Sequence, residues 1–252
     1  MFCFSGLRFV YAVLTYIQRY ARFAWGYLRF RQLTVKASPV RFPVRWRDRM
    51  PCLCDATLRT EYDRHYVYHS AWAARVLARI RPALHIDISS NLYFVSLVSA
   101  FMPVQFFDYR PADLALEGLA CERGDLLDLP FADGSVLSLS CMHVVEHVGL
   151  GRYGDPLDPD GDAKAMGELE RVIAPGGSLL FVTPIGRPVL RFNGHRIYSP
   201  EQILKQFSSL RLIEFVLIPE HNEDGPPIRN PTPEQVAKES YGCGCFWLYR
   251  PG

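Results

Sequence analysis

The 252-residue chain has no Gly-x-Gly-x-x-Gly directly following its first strand-like run, no uninterrupted apolar stretch near membrane-spanning length, and only one acidic residue in its first fifty positions. Each absence excludes something. A dinucleotide-binding strand–turn–helix entry needs those glycines, so an NAD-dependent enzyme, which would also need a second catalytic domain, is not supported. The longest uncharged apolar run near the N-terminus, "FVYAVLTYI", has nine residues, where a spanning helix needs about 20. No small-residue cleavage site follows it, so the segment does not read as an export signal. The shortage of acids makes residues 1–50 strongly basic: ten Lys/Arg stand against Asp48, while the rest of the chain carries eighteen against twenty-five acids.

The basic segment has a pattern. Arg8, Arg22 and Arg29 fall at multiples of seven with Thr15 in the gap, and Arg19 lies between Thr15 and Arg22. On a helix this forms one basic stripe, with Phe, Tyr, Trp, Leu and Val around most of the remaining circumference. Such a surface suits either a membrane interface, with arginines near lipid phosphates, or packing on protein. Residues 1–33 are therefore a candidate membrane-surface contact, and the protein is expected in the cytoplasm, peripheral on the inner face of the cell membrane. A nucleic-acid partner is not expected, because the apolar surface fits lipid or protein better. Residues 37–59, with Pro39, Pro43 and Pro51, read as an irregular linker. The Cys52/Cys54 and Cys243/Cys245 pairs have a spacing unlike a zinc knuckle and no histidine beside them in the sequence. The expectation is reduced thiols and no metal.

From about residue 60 the pattern alternates between helical segments and short apolar runs. "ALHIDI", "VQFFDY", "LACER", "VLSLSC", "SLLFVT", "LIEFVLI" and "CFWLYR" are seven candidate strands. Helices are expected in "DRHYVYHSAWAARVLARI" and over Leu92–Phe101, Asp162–Ile173 and Pro200–Phe207. The fold class is α/β, a doubly wound, mostly parallel seven-stranded sheet, with residues 60–252 as the domain and 1–59 as an amphipathic helical segment and linker. In such sheets ligands sit outside the carboxyl ends of the strands. Asp87 and Asp108 close the first two runs, and Asp108 stands where a ribose diol is bound in dinucleotide folds. After the third run, in "GDLLDLPFADGSV", Asp125 and the Leu126 backbone N–H are placed to recognise adenine. "CMHVVEHV" follows the fourth run, and Pro175, Gly176 and Gly177 turn a helix into the fifth.

This linked set resembles the class I S-adenosylmethionine (SAM) dependent methyltransferases, in which a GD-x-x-x-LPF-type stretch, an EH after strand four and a PGG before strand five occur in that order. The resemblance covers roughly Asp63 to Arg250. The wording "EHVGLGRYGDPLDPDGDAKAMGELERVIAPGGSLLFVTPIG" followed by "RFNGHRIYSP" resembles an uncharacterised bacterial methyltransferase-like family, some of whose members are associated with surface-polysaccharide genes. It implies a Rossmann-like methyltransferase fold, SAM as cofactor, and Asp87, Ser89, Asn91, Asp108, Asp125, Leu126 and His143 around it. Ser89 and Asn91 occupy positions where the class has glycines. Glycine serves there by letting backbone approach closely with φ > 0; asparagine is among the few residues that tolerate that conformation.

Among candidate catalytic residues are His147 and His195, since histidine is the residue type that ordinarily titrates near working pH and suits a general base for a hydroxyl acceptor. Tyr153, Asp155, Arg191, Arg196 and Tyr198 are candidate substrate contacts, the arginines suiting an anionic acceptor. "GRYGDPLDPDGD" fails the EF-hand register, because Gly167 falls where a carboxylate is required, and reads as a substrate-side loop with Asp162 capping the next helix. The expected activity is methyl transfer from SAM to a sugar, glycan or lipid-linked saccharide. The alternative is a noncatalytic methyltransferase-like scaffold or binding module in a polysaccharide assembly complex, favoured by the Ser89/Asn91 replacement.

Overall fold

Asp63 opens the first helix of the α/β domain, its side chain accepting from the Tyr66 N–H at 3.1 Å, as an N-cap carboxylate does. The helix runs until Arg81, whose left-handed conformation (φ 46°) closes it. Its buried face is a helical stripe of His65, His69, Trp72, Ala73, Val76 and Leu77, so two histidines take positions that the spacing assigns to the core. The computed structural model describes residues 4–36 and 41–252. Residues 1–3 of the helix expected over 1–33, and residues 37–40 of the expected linker, lie outside the described residues.

The elements in chain order are α1 (Phe4–Lys36), α2 (Arg64–Ile80), β1 (His85–Ile88), α3 (Leu92–Val98), β2 (Val104–Asp108), β3 (Leu119–Arg123), β4 (Val136–Met142), α4 (Gly161–Val172), β5 (Ile173–Ile185), β6 (Val189–Arg191), β7 (His195–Ile197), α5 (Pro200–Gln206), β8 (Arg211–Ile218), β9 (Ile228–Arg229), α6 (Pro233–Ala237) and β10 (Gly242–Tyr249). The chain divides into two compact units, Met1–Glu61 and Tyr62–Gly252.

In the first unit, α1 leaves Phe9, Tyr11, Tyr16, Ile17, Trp25, Phe30 and Leu33 exposed. Thr15 and Thr34 return their hydroxyls to the carbonyls of Tyr11 and Phe30, which keeps the helix free of unpaired side-chain donors there. The following segment is less irregular than expected. It contains a 3-10 turn at Trp46–Asp48, and Trp46 packs edge-on to Tyr27 of α1 with ring centroids 4.8 Å apart. Among the described residues no helix is long and apolar enough to cross a membrane.

In the second unit the main sheet has the order β3-β2-β1-β4-β5-β10-β8-β9. The pairs from β3 to β5 are parallel, and β10, β8 and β9 run antiparallel to their neighbours. The seven expected strands are present, and β9 adds an eighth, two-residue edge strand. Two cores result. One face carries α4 residues Ala165, Met166 and Leu169 against Ile86, Ile88 and Phe181. The other carries α2 residues Val76 and Leu77 and α3 residues Phe94 and Val95 against Val104, Phe106 and Cys245. Truncating a fully buried side chain such as Phe246 to alanine is worth about 3–5 kcal/mol.

The Pro175-Gly176-Gly177 stretch is not a turn between helix and strand, as expected, but a bulge inside β5. Val136 pairs with Ile173 and Ser138 with Ser178, so β5 advances five residues where β4 advances two, three extra. Gly176 takes φ +79° there, a conformation that glycine adopts without a Cβ clash. Boundaries shift elsewhere too. α3 ends at Val98, and α4 begins at Gly161 with Asp160 at its N-cap position; Asp162, expected to cap α4, instead accepts from Tyr198 Oη at 2.8 Å.

Candidate functional site

The strand order reverses between β1 and β4, and a cavity of about 610 Å³ opens over the carboxyl ends of β1 to β4, where open α/β sheets bind ligands. Its wall includes Ser89 and Asn91 after β1, Asp108 at the end of β2, Asp125 and Leu126 after β3, and His143 and His147 after β4. Tyr153 and Asp155 complete the far side.

Ser89 and Asn91 divide the work differently from the sequence expectation. Ser89 takes the left-handed conformation, φ +55°, and is held by its N–H and Oγ donating to Phe107 O at 2.8 and 3.2 Å. Asn91 has ordinary extended backbone, φ −69°, and caps α3 by accepting from the Tyr93 N–H at 2.8 Å. No glycine is needed at 91, because the backbone there asks for none. Gly124 is different: a Cβ would stand 2.9 Å from Phe107 Cβ, so this position must be glycine for β2 and the third loop to meet.

Asp87, expected to touch a cofactor, is fully buried beneath the loop and does not line the cavity. It accepts from the Ser90 N–H at 3.0 Å and from Ser140 Oγ, so it positions the loop. Burial pushes its carboxyl up to about 6 against the pull of these hydrogen bonds. His85 continues the ladder between Ser138 Oγ at 2.8 Å and Ser140 Oγ at 2.9 Å, and burial pushes it down to about 3. By contrast, Asp108 and Asp125 stand on the rim. Each commits Oδ1 to a local backbone N–H, of Arg110 at 2.7 Å and of Leu127 at 2.9 Å. Among the described residues the second oxygen of each has no partner.

His147 Nδ1 lies 2.6 Å from Gly194 O and donates to it, a carbonyl that also accepts from Arg152 at 3.1 Å. That fixes the tautomer with the lone pair on Nε2. Tyr153 packs edge-on to His147 at 5.6 Å, and the guanidinium groups of Arg110 and Arg152 lie 4.9 and 5.1 Å from its ring centre. Residues Gly149–Gly154 spell Gly-x-Gly-x-x-Gly, a formal match well past the first strand; its nest of N–H groups is filled from within. Asp155 accepts from Gly149 N at 2.8 Å, Gly151 N at 3.3 Å and Tyr153 N at 3.2 Å. Burial works against its charge, yet these bonds hold the carboxyl below its usual range.

The remaining expected residues lie elsewhere. His195 sits on β7, off the cavity wall, 4.9 Å from the Tyr241 ring and 6.5 Å from that of His147; burial and Arg191 lower its pKa. Arg191 lies on the exposed β6 strand of the hairpin, also off the wall. Arg196 and Tyr198, expected as substrate contacts, are structural. Arg196 is buried and donates to Val148 O at 2.7 Å and Pro159 O at 3.2 Å, with Asp162 at 3.4 Å. Tyr198 Oη donates to the same Asp162.

A second polar group escaped the sequence reading. Beneath the cavity floor, His143 has φ +58° and its Nδ1 lies 2.9 Å from Glu146 Oε1. Its ring stacks on His65 at 5.7 Å and on Tyr66 at 5.5 Å, with His69 at 5.2 Å. Burial opposes its charge, but Cys243 and Glu146 outweigh this and push it up to about 10. The available signal was the His65/His69 spacing on the buried stripe of α2. Cys243, expected to have no histidine near it, has two.

A sequence family described as "Caenorhabditis protein of unknown function, DUF268" matches residues 136–217, from the start of β4 into β8. No curated protein matches. Among solved structures, the [4+2]-cyclase SpnF is similar with a TM-score of 0.52 at 12% identity, covering 72% of this chain and 80% of that one. The N-methyltransferase NodS from Bradyrhizobium japonicum WM9, in complex with S-adenosyl-L-homocysteine, is similar with a TM-score of 0.51 at 13% identity, covering 75% and 90%. The likeness shows the fold alone: a Rossmann-like α/β fold with a large, mostly parallel sheet, shared with these solved structures. That one of these relatives is a cyclase illustrates that the fold does not fix the reaction.

Proposed function

We propose that this protein is a SAM-dependent methyltransferase acting on a sugar, glycan or lipid-linked saccharide, loosely attached to a membrane surface through α1. The observation that carries the reading is the cavity over the ends of β1 to β4, with Asp108 and Asp125 each offering a free carboxylate oxygen to it. The residues fit the cofactor: the cavity volume is ample, two acceptors face it after β2 and β3, and the Leu126 N–H has no partner among the described residues. Asp108 would accept from ribose hydroxyls, Asp125 from the adenine amine, and the loop over Ser89–Asn91 would hold the amino-acid end.

When bound, SAM supplies an electrophilic methyl group on a sulfonium. Methyl transfer needs the acceptor lone pair held in line, so positioning supplies much of the rate. His147, with Nε2 free to accept, would take the proton of a hydroxyl acceptor. Tyr93, Tyr109 and Tyr153, all exposed at the mouth, together with Arg110, and with Arg152 stacked on Tyr153 beside it, offer a mixed flat and charged surface that suits a polyhydroxylated, anionic acceptor. The exposed apolar side chains of α1 support the membrane part.

The test is transfer of radiolabelled methyl groups from SAM into a glycolipid fraction, compared with a protein-free small-molecule fraction. Label in the glycolipid that falls by a factor of about 10²–10⁴ with His147→Ala supports the reading; label in neither fraction contradicts the acceptor. For α1, cosedimentation with anionic liposomes that is lost on deleting residues 1–33 is expected, and unchanged sedimentation would remove the membrane part.

A further inference from the structure

We infer that His65, His143 and Cys243 form a zinc site beneath the cavity floor. One ring nitrogen of each histidine and Cys243 Sγ lie within 4.8 Å of one another. Tetrahedral zinc ligands at ordinary bond lengths stand roughly 3.4–3.8 Å apart, so closure shortens any one separation by about 1.4 Å at most. The three residues come from α2, the loop after β4, and β10; His65 and Cys243 are buried, and the His143 side chain is 5% exposed.

The unpaired atoms point the same way. His143 Nδ1 is engaged by Glu146, and among the described residues its buried Nε2 makes no hydrogen bond of ordinary geometry, although Cys243 is close enough to interact with the ring. This is the arrangement of a metal-bound histidine oriented by a carboxylate behind it. Glu146 Oε2 and both ring nitrogens of His69 are likewise buried without partners. Buried polar atoms are almost always satisfied, and several orphans around one point mark a missing group. Charge decides which kind. On binding, the Cys243 thiol and the His143 imidazolium each give a proton to solvent, leaving a thiolate and a neutral ring; with the Glu146 carboxylate the pocket then holds two negative charges, which one dication neutralises. Two imidazoles and a thiolate suit zinc, and three protein ligands leave a fourth position for water.

Because His143 also lines the cavity, the ion would hold that residue in its left-handed conformation and fix one wall of the proposed cofactor site. The metal assignment does not depend on methyl transfer, and metal content is read without SAM.

The test uses the full chain, stripped with chelator and titrated with zinc or cobalt. Expected are one metal ion per chain by elemental analysis, a rise in melting temperature, and, with cobalt, the thiolate-to-metal charge-transfer band of a tetrahedral site. Cys243→Ser should abolish the band and His65→Ala should weaken binding at least 10-fold, while Cys245→Ser, on the same strand, should leave both intact. Folding of each variant is checked by circular dichroism. Absence of stoichiometric zinc and of any cobalt band in the wild type would overturn the site, with no variant needed. Retention of the band in Cys243→Ser would overturn the ligand assignment.

Discussion

Two polar regions of the α/β domain meet at His143 and are built in opposite ways. On the rim, Asp108 and Asp125 are each held by an N–H two residues away and keep one oxygen free. Under the floor, His65, His143, Glu146 and Cys243 come from positions as far apart as 65 and 243 and are buried. A rim carboxylate is solvated whether or not a ligand is present, so its removal costs affinity and little stability. A buried group has no such reserve. The comparison teaches that one cavity draws its ligand contacts from local turns and its rigidity from long-range polar pairing.

The sharpest way to break the comparison is Glu146→Ala. It leaves His143 buried without its carboxylate, and the expected loss is about 3–5 kcal/mol in denaturant unfolding. A loss below about 1 kcal/mol would place Glu146 with the rim residues.

The buried ladder of β1 should come next, read by pH. His85 is depressed to about 3: above pH 6.5 it costs nothing, and from 6.5 down toward 3 the unfolded chain takes up a proton that the folded chain refuses, so stability falls. Asp87 is raised to about 6: its contribution is fully present below 3.8 and is lost as pH rises through 6. The two oppose each other on acidification, by about 5 kcal/mol for His85 and about 3 kcal/mol for Asp87. Relative to the wild type, His85→Gln should gain stability as pH falls from 6.5 to 4, and Asp87→Asn should lose it from 6 to 4. Parallel pH curves for all three would show that the ladder does not titrate as described.

On the rim, Asp108→Ala and Asp125→Ala should each weaken S-adenosyl-L-homocysteine binding about 10- to 100-fold, about 1.5–3 kcal/mol per charge-assisted hydrogen bond, and change unfolding stability by less than about 0.5 kcal/mol. Large destabilisation in either would erase the distinction. The smallest effect is expected from Ser89→Gly. Relief of a left-handed serine, about 1–2 kcal/mol, is offset by glycine's chain entropy and by loss of the Oγ bond to Phe107. Stability should change by less than about 1 kcal/mol and affinity by less than threefold; a large gain in affinity would mean that serine impairs the loop.

The rim was legible in the sequence because its signals are local. An acid closing each of the first two runs, and "GDLLDLPF" after the third, place carboxylates at strand ends, which is where the fold displays them. The floor was not, because His65, His143 and Cys243 converge only when α2, the β4 loop and the antiparallel β10 pack together. The substrate expectations for Arg196 and Tyr198 failed for a related reason. Their polar groups look free in sequence, but Asp162, Val148 O and Pro159 O consume them once α4 and β7 meet. Asp87 was placed correctly at the first strand, yet the pleat turns its side chain into the interior toward Ser140.

The central claim, that the cavity over β1 to β4 holds the cofactor through its rim carboxylates, is tested most directly by calorimetric titration of the wild type and Asp108→Ala with S-adenosyl-L-homocysteine. The account predicts one site per chain in the wild type and strongly weakened binding in the variant at unchanged melting temperature. No binding heat and no thermal shift in the wild type, or equal affinity in both proteins, would contradict it.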